Sequence, residues 1–354
     1  MMLLNKADIT QSLTAIASDW LNSQYVLRHL AIEQAAQEFG LSKASFEFSL
    51  DGIFEQWTEK NILAGFSKIP LATKENDYVV QILAGNTPAM IAQGFFQGAI
   101  LNRPQCLKVP HKQTSFANLL HQSFKDKGLV LELEDGSSRV LLNEKLAQAA
   151  LILAYGRDET IKTLHQYCRS ESMFIGHGHA ESAAIIFKEA SNLFSLEQLA
   201  YDMLTYDQRG CLSPRMVFVE EGGLFEPAEC AKIFAEKILP EVAKKLPGGE
   251  FFSGESAEIL HQRVMAGFRG QVYMGSDWTV SYDKNLTWSE IALPRFLLFK
   301  PFENRHELMD LLASKRDQLM SLGYAGSEEA IEPFKKMASY ISFLGEMQKK
   351  LLIF

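Results

Sequence analysis

Cysteine is scarce in this chain, and its four copies, Cys106, Cys168, Cys211 and Cys230, fall at scattered spacings. That excludes a disulfide framework and a paired-cysteine zinc site, the two uses that cluster cysteines along a sequence. Long hydrophobic runs are missing as well. No apolar stretch reaches the roughly 18 residues that a membrane span needs, and Met1-Met2-Leu3-Leu4-Asn5-Lys6-Ala7-Asp8 lacks the apolar core of a signal peptide. Basic charge is in deficit: 35 Lys and Arg face 43 Asp and Glu, a net charge of -8. Nucleic-acid binding needs a basic face, so that class of partner is excluded, and anionic membranes are disfavoured on the same ground. Low-complexity segments and solenoid repeats are also absent. What remains is an ordinary globular composition, 47% hydrophobic and 22% charged, in 354 residues, a length that suggests about two domains. The expectation is a reduced, soluble, cytoplasmic protein with no membrane span.

The pattern along the chain changes once near its start. Ile9 to Phe39 carries apolar residues at helical spacing and stops at Gly40, and Phe46 to Phe66 reads as a second helical stretch. Short apolar runs then alternate with amphipathic ones. Val79–Ala84, Cys106–Val109, Leu151–Tyr155, Met173–Ile175 and Ala183–Phe187 read as strands. Ala89–Leu101, Ser115–Phe124 and Asp158–Tyr167 read as the helices between them. This alternation predicts a parallel sheet covered on both faces, with ligands held past the carboxyl ends of strands. A second α/β stretch follows: helix Leu196–Leu204, strand Met216–Val219, helices Pro227–Ile238 and Glu255–Gly267, strand-like Gln271–Tyr273 and Phe296–Lys300, and a last long helix over Asn304–Leu322. Candidate hinges are Glu189–Ser195 and the pair Gly248-Gly249, neither a flexible linker by composition, and the predicted domains are 1–190 and 191–354.

Several residues in turns after or before these strands carry chemistry. Asp207-Gln208-Arg209-Gly210-Cys211-Leu212-Ser213-Pro214 puts a thiol behind a glycine, which lets the backbone approach a ligand closely. A thiol of this kind becomes a nucleophile when its thiolate is favoured. A buried small residue in a turn fits the same letters. Gly85-Asn86-Thr87-Pro88 ends a strand: the Asn86 amide suits donation to an oxyanion, and the segment is equally a good turn. Lys108 ends the next strand, where a lysine reaches the ribose or phosphate of a nucleotide over the sheet. His111 and Lys112 beside it are basic, which suits a 2′-phosphate and so NADPH rather than NAD. Gly156-Arg157 opens a helix after a strand, a junction that exposes backbone N–H groups to a pyrophosphate. Gly176-His177-Gly178-His179 holds two histidines without a third ligand nearby, so no metal is expected; a cleft-lining turn with a proton-relaying histidine is the alternative.

Taken in order, these segments resemble the LuxC-like acyl-CoA reductases of the aldehyde dehydrogenase superfamily, over roughly Tyr78 to Gln348. Gly85-Asn86-Thr87-Pro88 resembles the superfamily's Trp-Asn-Phe-Pro segment, and Lys108-Val109-Pro110-His111 its Lys-Pro-Ser-Glu segment. Gly156 matches its phosphate-binding junction, Gln208-Arg209-Gly210-Cys211-Leu212-Ser213-Pro214 its nucleophile segment, and Gly345-Glu346-Met347-Gln348 a segment near the C-terminus of the LuxC-like branch. The resemblance implies an aldehyde dehydrogenase-like fold, a Rossmann-type nucleotide-binding domain plus an α/β catalytic domain. It implies NADPH-dependent reduction of an acyl-CoA or acyl-carrier thioester to an aldehyde through a Cys211 acyl-enzyme. Asn86 would hold the oxyanion, His177 and His179 would assist proton movement, and Lys108, His111, Gly156 and Arg157 would hold the cofactor. A homo-oligomer or an acyl-transfer complex is the partner state that such proteins suggest.

Departures from the pattern bear on the chemistry. Where aldehyde-oxidising relatives carry Glu-Leu-Gly-Gly, whose Glu activates water, this chain has His177-Gly178-His179-Ala180. The Glu-x-Phe-Gly-Pro segment has no clear match, Ile291-Ala292-Leu293-Pro294-Arg295-Phe296 lying nearest, and the chain ends at Phe354, where LuxC-like proteins continue. A non-acylating aldehyde dehydrogenase using Glu181, or a catalytically silent nucleotide-binding or assembly subunit, are the alternatives.

Overall fold

The computed structural model describes residues 4–70, 77–134 and 139–349. They fall into two compact units, the first within Met1–Phe39 and Phe46–His179, the second within Gly40–Ser45 and Ala180–Lys350.

The first unit opens with helices Lys6–Leu21 and Val26–Ala35, the helix Lys43–Phe54 from Phe46 onward, and Glu59–Phe66. The long helical stretches expected from periodicity are thus broken in two, and the breaks have local causes. Asn22 Oδ1 accepts the Gln24 N–H at 2.9 Å, offering the backbone a turn in place of another helical hydrogen bond. Thr58 caps the fourth helix by accepting from the Asn61 N–H at 3.2 Å. Ile9, Leu13, Ile16, Ala17 and Trp20 form the buried stripe of the first helix. Trp20 stacks on Phe54 at 5.1 Å and meets the edge of Phe116 at 5.5 Å, which welds these helices to the α/β part of the unit.

That part is a sheet of five strands: β1 Val79–Ile82, β2 Gln105–Lys108, β3 Glu132–Glu134, β4 Leu151–Tyr155 and β5 Met173–His177. All pairs are parallel, in the order β3-β2-β1-β4-β5. Every residue of β1 and β4 is buried, as in a sheet covered on both faces. β3 was not anticipated, because Glu-Leu-Glu has no strand signal; it forms at the sheet edge, where exposed charge is tolerated.

The second unit is built on β6 Glu181–Ile186, β7 Pro214–Glu220, β8 Gly270–Met274, β9 Thr279–Asp283, β10 Phe296–Phe302, β11 Leu319–Ala325 and β12 Tyr340–Phe343. The order is β12-β11-β6-β7-β10-β9-β8, parallel except where β8 runs antiparallel to β9. Alternate residues feed two cores. Ala184, Ile186, Val217, Val219, Leu297 and Phe299 face helix Leu193–Leu204 and its neighbours, whereas Ile185, Met216, Phe218 and Leu298 face Ile259, Leu308 and Leu312. The expected helix over Asn304–Leu322 is corrected here: the helix is Arg305–Ala313 and Leu319–Ala325 is strand β11. Leu308, Leu312, Leu319 and Leu322 are all buried and continue one helical spacing, so periodicity could not separate the two. Pairing with β6 on one side and β12 on the other decides it.

Candidate functional site

In a parallel sheet all carboxyl ends share one edge. In the first sheet the chain winds outward one way through β2 and β3 and the other way through β4 and β5, so the crevice for a ligand opens between β1 and β4. β1 leads to Asn86, β2 ends at Lys108 and leads to His111, β4 leads to Gly156 and Arg157, and β5 ends at His177 and leads to His179. Every predicted residue of this unit therefore stands along the edge where such sheets bind ligands. Asn86 is exposed on a tightly fixed turn: a Cβ at Gly85 would lie 2.7 Å from Gln113 Oε1. At Gly156 a Cβ would meet only Thr160, at an ordinary 3.6 Å, so protein packing does not require that glycine and its backbone is left uncrowded. Lys108, His111 and this uncrowded backbone stand on the same edge of the sheet. Asp158 is otherwise engaged, its Oδ1 accepting the His179 N–H at 2.8 Å. The His177 ring stacks on Tyr155 at 4.6 Å, and its Nε2 is buried without a hydrogen-bond partner among the described residues. Burial lowers the His177 pKa, which keeps the imidazole neutral at pH 7.

Cys211 lies in the second unit, before the first residue of β7, at the amino edge of its sheet rather than the carboxyl edge. Just ahead of it, Tyr206, Asp207 and Gln208 take left-handed φ angles of 58°, 52° and 60°. Non-glycine residues there cost about 1–2 kcal/mol each, so the turn persists only because its side chains are held. Gln208 donates to Pro214 O at 2.6 Å and Phe296 O at 3.0 Å, and accepts from the Phe296 N–H at 2.6 Å. Asp207 accepts from Arg295 Nε at 2.7 Å and from the Gly249 N–H at 3.0 Å. Beyond the thiol, Ser182 Oγ donates to Cys211 O at 2.7 Å, and Gln348 Nε2 donates to Ser213 Oγ at 3.1 Å. A Cβ at Gly210 would stand 3.0 Å from Gln348 Oε1, so a side chain there would press on that contact. The Gly345–Gln348 segment is itself pinned by buried Asp202, which accepts the Gly345 N–H at 2.6 Å and the Met347 N–H at 3.1 Å.

Burial pushes the Cys211 thiol up, against the pull of its own and the Leu212 N–H groups and the Arg215 charge. The resting thiol is therefore protonated at neutral pH. Arg215 donates to Leu293 O at 3.2 Å, and burial lowers its pKa to about 10, which leaves it charged. Glu181, 4% exposed, accepts from Trp288 Nε1 at 2.8 Å and lies in the field of Arg215. Arg215, Arg295 and Asp207 were not singled out from the sequence. A buried arginine carries no letter-level mark, since arginines are mostly exposed. The one available hint was that Arg295 follows Leu293-Pro294 in a segment already noted as atypical. Among the described residues, no group of three or more His, Cys, Asp or Glu is placed to hold a metal ion, and no helix is long and apolar enough to cross a membrane.

The two sheets with their helices define an aldehyde dehydrogenase-like fold. An oxidoreductase from Marinobacter aquaeolei superposes with a TM-score of 0.73 at 12% identity, covering 97% of this chain and 79% of that one. An NAD-dependent aldehyde dehydrogenase from Sinorhizobium meliloti superposes with a TM-score of 0.70 at 16% identity, covering 96% and 75%. Within that class, the chain belongs to the acyl-CoA reductase (LuxC) family, which matches residues 72–350. The chain is also similar to a long-chain acyl-protein thioester reductase of Photorhabdus laumondii, 22% identical over 396 aligned positions that cover 95% of this chain and 81% of the relative. This family membership makes the chain an oxidoreductase acting on acyl groups.

Proposed function

We propose that this protein reduces an acyl thioester, on CoA or on a protein carrier, to an aldehyde through a covalent acyl group on Cys211. The observation that carries the reading is the braced left-handed turn that holds Cys211 beside a charged Arg215 in a chain of this family. The Cys211 sulfur attacks the thioester carbonyl carbon. A new sulfur–carbon bond forms, the old one breaks, and the donor thiol leaves as a thiolate, unaided because its pKa is about 8.5. The Cys211 proton must leave first, and His177, neutral through burial, or His179 would assist its movement. The Asn86 amide and the Cys211 backbone N–H hold the developing oxyanion.

Lys108, His111, Gly156 and Arg157 would hold the cofactor. NADPH, when bound, supplies the hydride that takes the acyl group to the aldehyde, and the basic residues His111 and Lys112 favour it over NADH. Glu181 is already committed to Trp288 and to the field of Arg215, which weighs against its activating a hydrolytic water.

The test is NADPH oxidation with acyl-CoAs and acyl-carrier thioesters, with NADH in parallel. Cys211→Ala should abolish turnover, and Asn86→Ala should slow acylation by about 100-fold. Native rates in Cys211→Ala would remove the mechanism.

A further inference from the structure

Arg295 is 1% exposed and itself takes a left-handed φ of 49°. A charge that deep is costly unless it is paired and fully hydrogen-bonded, and here it is. Its Nε and Nη2 both reach Asp207 Oδ1 at 2.7 Å, Nη1 reaches Asp277 Oδ2 at 2.7 Å, and Nη2 also donates to Leu246 O at 2.8 Å. The two carboxylates are tied in further. Asp207 Oδ2 accepts from the Gly249 N–H at 3.0 Å and Arg209 Nη1 at 3.3 Å, and Asp277 Oδ2 accepts from the Gly248 N–H at 3.0 Å. Arg209 in turn pairs with Glu255 at 2.8 Å, so two arginines are shared among three carboxylates. The Arg295 backbone joins in as well, its O accepting from the Thr279 N–H at 2.8 Å, while the next residue, Phe296, holds the Gln208 amide at both ends. So the strained residues Asp207 and Gln208, a few positions from Cys211, are gripped from the Arg295–Phe296 step.

We propose that Arg295 is a positioning residue for the nucleophile. It fixes the left-handed turn 206–208 through Asp207 and thereby aims the Cys211 sulfur, without touching the substrate itself. The inference rests on Cys211 being the acylated group. Lysine replaces Arg295 only in part, because its compact ammonium is a single point of charge, whereas the planar guanidinium reaches Asp207, Asp277 and Leu246 O from separate nitrogens. Loss of the clamp lets the turn relax toward ordinary backbone angles, and a displacement of about 1 Å at a reacting atom costs on the order of 100-fold in rate.

The experiment uses the full chain and single-turnover acylation by an acyl-CoA, measured as rate per titratable Cys211 thiol, for the native protein, Arg295→Met, Arg295→Lys and Asp207→Asn. Arg295→Met should lose about 100-fold in acylation rate with an unchanged KM for acyl-CoA and an unchanged pH midpoint for acylation. Arg295→Lys should recover part of that rate, and Asp207→Asn should lose rate in the same direction. Asp207→Asn keeps the inference testable where Arg295→Met does not fold, since it retains the side-chain size and a carbonyl for Gly249. A merely structural arginine would lower the fraction of folded, titratable protein while leaving the rate per thiol unchanged, and that result in either variant would overturn the inference. Acylation of Cys211→Ala at the native rate per molecule of protein would instead remove the reading on which it rests, so the two failures are distinct.

Discussion

A thiol held above its ordinary range is a reluctant nucleophile, and the surroundings of Cys211 set how reluctant. Burial disfavours the thiolate, and Arg215 opposes burial from close by. The thiolate fraction of the free protein is therefore small at pH 7 and grows only above the ordinary thiol range of about 8.5. Alkylation of Cys211 by iodoacetamide should climb through that alkaline range. Arg215→Gln should move the climb to higher pH, because one of the forces lowering the pKa is gone. A labelling midpoint at or below that of a free thiol would contradict this electrostatic picture. Cys211 should still label ahead of Cys106 and Cys230, which are fully buried and pushed to about 11 by burial. Of the residues in this site, Cys211 was legible because a turn glycine, a serine and a proline surround it in a recognisable order. Arg215 and Arg295 were not, because nothing in a sequence says that one arginine will stand in the field of the thiol and another be buried between two carboxylates.

Elements with one clear period were legible, and those with two were not. Strands β1, β2, β4, β5, β6, β7 and β10 are short apolar runs bounded by turn residues, and each is found where its run suggested. β3 has glutamates at both ends, and β11 continues the helical spacing of the element before it, so each is decided by its neighbours in the sheet. The Gly345–Gln348 segment shows how one element can be set by another far away. It is fixed by Asp202 on helix Leu193–Leu204, whose pKa is pushed up to about 8, chiefly by burial, against the pull of the two N–H groups and Lys349 and with a push from Glu346. The folded state keeps this proton up to about pH 8, whereas the unfolded carboxyl releases it near 4. The folded state therefore binds more protons than the unfolded one across that window. The stability Asp202 contributes is complete below the unfolded value and is lost as pH rises to the folded one, at up to about 1.4 kcal/mol per pH unit. Asp202→Asn should flatten the fall in stability between about pH 4 and 8 by the slope of one proton, as read by denaturant unfolding across that range; an unchanged slope would show that Asp202 is ionised in the native state.

At the scale of the whole molecule, the α/β class could be read from the alternation of apolar runs with amphipathic ones, since that rhythm is what a parallel sheet with helical cover imposes on a chain. The strand order was not readable. It emerges from pairing, and it is what gathers Asn86, Lys108, Gly156 and His177 along one edge of the first sheet. Cys211 breaks the expectation that ligands meet carboxyl ends, since its turn enters β7 from the amino side and needs side-chain bracing that a strand end would otherwise supply. The most direct measurement of the central claim is the intact mass of the protein after brief exposure to an acyl-CoA without any reductant. The account predicts one added acyl group, mapped to the peptide bearing Cys211, absent from Cys211→Ala and discharged as aldehyde when NADPH is added. Turnover with no such adduct, or an adduct that persists in Cys211→Ala, would contradict it.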